Sequence, residues 1–261
     1  MRDMEKIRSI LNARGLADLS VYAREETEST NKDAREHHEA TGEGQALFIA
    51  DGQTAGRGRL GRSFASARGA GIYMSLLLSP RARLAELVSM TAYVAVAVCR
   101  AIERQTGLAA DIKWVNDIYY KGKKLGGILT EGVLADDGVS AKYVVVGVGV
   151  NVLCTDFPEE IQGIATTLED ATGERYDRYA LAGEIAAEIL SSLDRFDAEE
   201  VVMEYRRRSC LVGKDVTVHK AGDSYPAKVL GIEEDMSLRI LLEDGSEERL
   251  ATGEVSVRER R

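Results

Sequence analysis

Arginine and glycine alternate along Gly56-Arg57-Gly58-Arg59-Leu60-Gly61-Arg62, and this stretch is the first sign of chemistry in the chain. Glycine lets a backbone approach a ligand closely, and arginine offers forked, charged donors to a carboxylate or phosphate. A second group follows at Lys113-Trp114-Val115-Asn116-Asp117, and a third at Lys124-Leu125-Gly126-Gly127-Ile128-Leu129-Thr130-Glu131. Glycines inside a strand-like run lose packing and cost entropy, so Gly126-Gly127 marks a place where a ligand comes close. Each motif taken alone has a plainer reading. The first could be a solvated surface loop, Trp114 core packing, Asn116-Asp117 a turn, and Lys121, Lys123 and Lys124 a hairpin tip. The glycines also satisfy G-x-G-x-x-G, a dinucleotide-binding fingerprint that needs a strand before it and a helix after it. Asp51 to Ala55 is a poor strand end and Ser63 to Gly71 a poor helix, so that reading is set aside.

The charge balance narrows the ligand. The 261 residues carry a formal net charge of −9, whereas a duplex-DNA binder usually shows a basic surplus or stripe. Positive charge is instead local, at Arg57, Arg59, Arg62 and Arg68 and again at Lys113, Lys121, Lys123 and Lys124. Such clusters on an acidic protein point to a small anionic ligand. Cys99, Cys154 and Cys210 lie far apart with no CxxC pair, so neither a disulfide framework nor a zinc site is expected, and no metal ligands are assigned. No apolar run reaches membrane-spanning length. The N-terminus mixes charges into its apolar positions, unlike a secretory signal. Cytoplasmic location is the expectation.

The elements that must position these residues follow from periodicity. Met4, Ile7, Ile10 and Leu11 predict an amphipathic helix over 3–14, stopped by Gly15. Ser29-Thr30-Asn31 reads as the N-cap of a second helix. Strands are predicted at Ala46–Ala50, Gly71–Ser79, 112–114, Lys124–Glu131 and Ala141–Asn151, the last continuous and β-branched as in a strand buried on both faces. The stretch between the first two lacks large apolar residues and is expected to be a mobile loop. Helices are predicted at Leu84–Gln105, 177–196 and 199–208. After Gly213 short alternating segments with turns at Ala221-Gly222-Asp223, Glu234-Asp235 and Asp244-Gly245 predict a small antiparallel β unit, so a boundary is placed near 208–213. His37, His38 and His219 are expected at the surface.

From Ser29 onward the order of blocks closely resembles the biotin protein ligase family: STN, then GQTAGRGRLGR, GIYMS, KWVND, KLGGILTE and GVGVN. GRGRxGR with KW-x-ND and KLGGIL downstream is specific in combination, though no single block is. The resemblance implies an α+β fold. A mixed-sheet catalytic domain related to class II aminoacyl-tRNA synthetases would span 1–208, and a C-terminal SH3-like β barrel 209–261. It implies a two-step ligase. Biotin and ATP, with Mg²⁺, give biotinyl-5′-AMP and pyrophosphate; the biotinyl group then passes to a lysine of a biotin carboxyl carrier domain. It also implies roles for residues. Ser29, Thr30, Asn31 and Gln53 contact biotin, with Tyr73 and Ser75 lining that side. Arg57, Gly58 and Arg59 close over biotin and the adenylate. Lys124 holds the biotin carboxylate and the adenylate phosphate. Asn116 and Asp117 form the catalytic Asn-Asp pair, joined by Arg59 and Lys124 as catalytic residues, and Gly127 supplies backbone contacts. Arg62, Phe64, Lys113 and Asn151 belong with Arg57, Arg59, Asn116 and Lys124 on the ATP side. Phe64 stands where many members have Trp, and Val115 where many have Pro. Too few residues precede Ser29 for the winged helix with which some members bind DNA, so a monofunctional ligase without a DNA partner, forming a homodimer through sheet edges, is expected.

The chemistry wants these residue types. A carboxylate attacking the α-phosphorus of ATP is already ionised and needs no base. The obstacle is charge repulsion, so positioning and neutralisation dominate, and Arg57, Arg59, Lys113 and Lys124 suit that task. The carrier lysine must lose a proton in the second step, and Asp117 is the candidate to accept or orient it. A lipoate ligase would carry a different Arg-Gly signature. A biotin store would not need Asn116, Asp117 and Lys124.

Overall fold

The β-branched run Ala141–Asn151 becomes the central strand of a sheet, and the rest of that layer is arranged around it. A computed structural model describes residues 2–79, 86–191, 193, 199–220, 223–251 and 255–259. The strands of the main sheet are β1 (Ser20–Thr27), β2 (Ala46–Gln53), β3 (Gly71–Leu78), β4 (Asp111–Lys113), β5 (Asp117–Tyr120), β6 (Lys123–Leu134) and β7 (Ala141–Asn151). They lie in the order β1-β2-β3-β7-β6-β5-β4. β1 and β2 run parallel and all other neighbours antiparallel. Helix α2 (Thr30–Thr41) covers one face over Ala46, Phe48, Leu77, Tyr143 and Val145. Helices α3 (Leu87–Thr106) and α5 (Arg178–Leu190) cover the other, and α1 (Arg2–Ala13) packs on α5. Cover on both faces is why β7 needs no polar alternation.

Local signals set most element ends. α3 stops at Gly107, whose φ of 70° lets its N–H close on Glu103 O at 2.8 Å. α5 starts at Asp177, whose carboxylate accepts from the N–H groups of Tyr179 and Ala180. Asp117 opens strand β5, so the turn is Trp114-Val115-Asn116 rather than Asn116-Asp117. A short helix, α4 (Leu168–Thr172), was not predicted. α5 ends at Leu190 with Ser191 as its cap; of the remainder, 192 and 194–196 lie outside the described residues, as do Leu84 and Ala85 of the long helix.

α6 (Glu199–Arg208) leads into β8 (Asp215–Lys220), β9 (Asp223–Ile232), β10 (Leu238–Leu242), β11 (Glu247–Leu250) and β12 (Val255–Glu259). These form a separate antiparallel sheet in the order β11-β10-β9-β8-β12. Turn residues Ala221 and Gly222 lie outside the described residues. The two sheets share one buried apolar cluster, which includes Ile112, Trp114, Leu211, Val216 and Val229. Polar ties reinforce it: Trp114 Nε1 donates to Met236 O at 2.9 Å, and Arg206 Nε to Ile232 O at 2.7 Å. No described helix is long and apolar enough to cross a membrane.

Candidate active site

One wall of the site is built where α2 begins beside the end of β2. Ser29 takes the extended backbone of a cap residue, yet its side chain caps nothing. Gln53 does that work instead, its Oε1 accepting from Thr30 N at 2.9 Å. The helix start is therefore free to present polar side chains inward, and Ser29, Thr30 and Asn31 are all buried. Behind them Ser75 Oγ lies 2.7 Å from Thr30 Oγ1 and 2.6 Å from Asn31 Oδ1. Ser75 is fully buried beneath the polar side chains that it contacts.

The opposite wall comes from β5, β6 and the turn before them. Lys124 Nζ meets Asp117 Oδ1 at 2.6 Å. Asn116 is tied twice to Ile128, through Nδ2 to Ile128 O at 2.8 Å and through its own carbonyl to Ile128 N at 2.9 Å. Its Oδ1 then accepts from Arg59 Nη1 at 3.1 Å. Buried Tyr205 donates to Val115 O at 3.0 Å, which fixes the backbone beside Asn116 where a proline was absent. Lys124 is not at a hairpin tip; Lys121 and Gly122 are, both at positive φ.

Between the walls the Arg/Gly loop folds back on itself. Gly58 N donates to Arg62 O at 2.7 Å and Phe64 N to Gly56 O at 2.8 Å, with a bridge between Arg57 and Ser63. A side chain at Gly56 would stand 2.4 Å from Phe64 O, so the closure requires glycine there. The loop expected between β2 and β3 thus carries its own hydrogen bonds. The Phe64 ring rests on Gly149, 2.7 Å from where a Cβ would sit, and meets the edge of Tyr73 at a centroid distance of 6.5 Å.

These pieces enclose a cleft of about 1050 Å³. Ser29, Thr30, Asn31, Gln53, Arg57, Gly58, Arg59, Arg62, Phe64, Tyr73, Lys113, Asn116, Asp117, Lys124, Gly127 and Asn151 all line it. Burial holds the Arg59 guanidinium below its usual pKa, with Asp117 opposing the shift. Burial also pushes the Tyr73 phenol up to about 12, so it stays protonated and donates to Ala67 O at 2.9 Å. Among the described residues no cluster of three His, Cys, Asp or Glu is placed to hold a metal. Asp111, Asp117 and Glu160 reach the cleft, and Asp117 is engaged with Lys124. Such a donor set suits a cation carried in on phosphates, not a protein-built cage.

Sequence reasoning missed several contributors. Gly147 passes so close to Asn31 that a Cβ would stand 2.3 Å from Oδ1, and Gly149 makes room for Phe64. Their signal was present, as glycines interrupting a β-branched run. Ile164 and Ala165 pack along Lys124, with Lys124 N donating to Ile164 O at 2.7 Å, and Cys210 and Lys214 enter from the C-terminal side. Nothing local marked these. His37 and His38 are half-buried at the surface, engaged by Glu43 at 2.6 Å and by Glu43 O at 2.8 Å, and half-buried His219 contacts Ser224.

Residues 23–151 match the pattern of the Biotin/lipoate A/B protein ligase family. The chain is 35% identical over 223 residues to the Bifunctional ligase/repressor BirA of Bacillus spizizenii, covering 83% of this chain and 68% of the relative. It is 34% identical to the Biotin--[acetyl-CoA-carboxylase] ligase of Mycobacterium tuberculosis, with 90% of each chain covered. The chain belongs to the biotin protein ligase family. As a member it is an ATP-dependent ligase. Its backbone agrees with a solved ligase of the same family, the biotin protein ligase from Aquifex aeolicus in complex with biotin and ATP. The TM-score is 0.79 at 30% identity, over 92% of this chain and 99% of that one. The α+β class and mixed sheet expected of a biotin protein ligase are thus what the chain adopts.

Proposed function

We propose that the cleft binds biotin and MgATP, joins them as biotinyl-5′-AMP with release of pyrophosphate, and passes the biotinyl group to a lysine of a biotin carboxyl carrier domain. The observation that carries this reading is the division of one cleft into two chemistries. Buried Thr30 and Asn31, with half-buried Gln53, make a polar wall suited to an uncharged ring rich in donors and acceptors. Arg59, Asn116, Asp117 and Lys124 make a linked charged wall suited to an acyl phosphate.

In the first step the biotin carboxylate oxygen attacks the α-phosphorus, an O–P bond forms, and the bond to the pyrophosphate oxygen breaks. Both reactants are anionic, so cationic side chains that need not reorganise lower the barrier. Lys124 and Arg59 are held in place before substrate arrives, by Asp117 and Asn116 respectively. Mg²⁺ enters as part of the nucleotide substrate and shields its phosphates. The second step forms an amide from the carrier lysine amine and the acyl carbon, with AMP leaving and one proton lost from the amine. Because Oδ1 of Asp117 is engaged by Lys124, an orienting role for Asp117 has the better support. Water would destroy the mixed anhydride, and the loop carrying Arg57, Arg59 and Phe64 is placed to exclude it.

The test is incubation of the protein with biotin, ATP, Mg²⁺ and a carrier domain, followed by mass measurement of the carrier. A biotinyl adduct on one lysine is expected. An unmodified carrier together with no biotin-dependent ATP–pyrophosphate exchange would refute the reading. Two further proposals accompany it. A division near 208–213 into a catalytic unit and a C-terminal SH3-like unit is supported by the two separate sheets. A homodimer through a sheet edge is supported by β1, an edge strand of the main sheet; light scattering at micromolar concentration would decide it.

A further inference from the structure

Glu131 lies outside the cleft lining, yet it touches Asn31, a cleft side chain whose orientation is chemically ambiguous. Asn31 carries a carbonyl that accepts and an amino group that donates, and rotation by half a turn exchanges them. Its surroundings are not symmetric. Nδ2 donates to Glu131 Oε2 at 2.7 Å and faces Leu129 O at 3.4 Å. A carboxylate and a peptide carbonyl can only accept, so both demand the amino end. Oδ1 is thereby turned to Ser75 Oγ at 2.6 Å, above Gly147, where no side chain could fit. Arg35, one helical turn beyond Asn31 on α2, steadies the other Glu131 oxygen at 3.0 Å.

On the proposed biotin reading, we infer that Glu131 is a positioning residue for ligand recognition: it locks the Asn31 carboxamide so that the polar wall shows a single donor–acceptor face to the ureido ring. Arg35 balances the charge that does this. Without Glu131, Nδ2 keeps only the longer approach to Leu129 O, and the amide can turn. A ring that donates and accepts at fixed places then meets the wrong group in part of the population.

A double-mutant cycle tests the inference. Glu131→Ala should raise the biotin KM about tenfold, the worth of one part-buried hydrogen bond to a charged group, while kcat and the ATP KM move little. Asn31→Asp sets two carboxylates against each other and should weaken biotin binding at least as much. In N31D/E131Q the new amide can donate to the new carboxylate, and binding should recover most of the loss. A merely structural role would not predict that rescue, and thermal unfolding of every variant identifies any that fail to fold. Binding by N31D/E131Q no tighter than by N31D, or an unchanged biotin KM in E131A, overturns the inference while wild type still binds biotin. Failure of wild type itself to bind biotin would instead overturn the parent reading, and this inference with it.

Discussion

Asp117 and Lys124 sit seven positions apart in sequence, yet the chemistry depends on their meeting at 2.6 Å. If Asp117 serves only to orient Lys124, Asp117→Asn should slow adenylate formation and biotin transfer together. If it takes the proton of the carrier lysine, transfer alone should fall, and single-turnover assays of the two half-reactions separate these outcomes. Arg59 makes a contrasting case. Its hydrogen bond to Asn116 joins the loop to the charged wall. Arg59→Gly should still form the adenylate but release it at least about tenfold faster, since a charged hydrogen bond contributes roughly 1.5–3 kcal/mol, as followed by chase of labelled biotinyl-AMP. Tyr73 links the site to pH. Its folded-state pKa of about 12 lies above the unfolded value near 10, so the folded protein keeps a proton that the unfolded chain releases. Its contribution is complete below pH 10 and is lost as pH rises through 12, by about 3 kcal/mol for two units. Tyr73→Phe should flatten that alkaline decline in denaturant titrations between pH 9 and 12, on the order of the buried phenol's share.

Strand β7 shows how one element serves both core and site. Its valines fill the space between the helical layers, and its glycines give up packing so that Asn31 and Phe64 can approach. A methyl at Gly149 would meet the Phe64 ring at 2.7 Å, and crowding of this kind typically costs ~1–3 kcal/mol unless the neighbour moves. Phe64 belongs to a surface loop, so it is the part that moves. Gly149→Ala should therefore leave the unfolding midpoint nearly unchanged, raise the ATP KM about tenfold, and recover in part when Phe64 is shortened to Leu. Loss of fold in G149A would show that the ring is fixed and the loop rigid. The phenylalanine at this position thus has a structural correlate, since a ring lies directly on strand backbone.

Trp114 is the sole tryptophan, and its indole joins the main sheet to the C-terminal one. Because the apolar cluster runs without a break beneath that bond, the two sheets should unfold as one unit. Tryptophan fluorescence and far-UV circular dichroism should then give coincident transitions in denaturant; separate midpoints would mean that the C-terminal sheet is an independently stable unit.

How much of this could be read in advance depends on distance along the chain. Helices α3 and α5, strands β2, β3, β6 and β7, and the alternating C-terminal strands follow from local periodicity, which acts over a few residues. Nearly every residue that the family resemblance assigned to the site lines the cleft. The amino acids determined by themselves most of the elements, though not β1, β5 or α4, together with the family resemblance and the charged character of the site. Gln53 completing the start of α2, Glu131 reaching Asn31, and Lys214 entering from just before the second sheet were decided only by the tertiary structure. Each joins segments separated by tens of residues, and no local rule of propensity or spacing encodes a contact that exists only once the layers have packed.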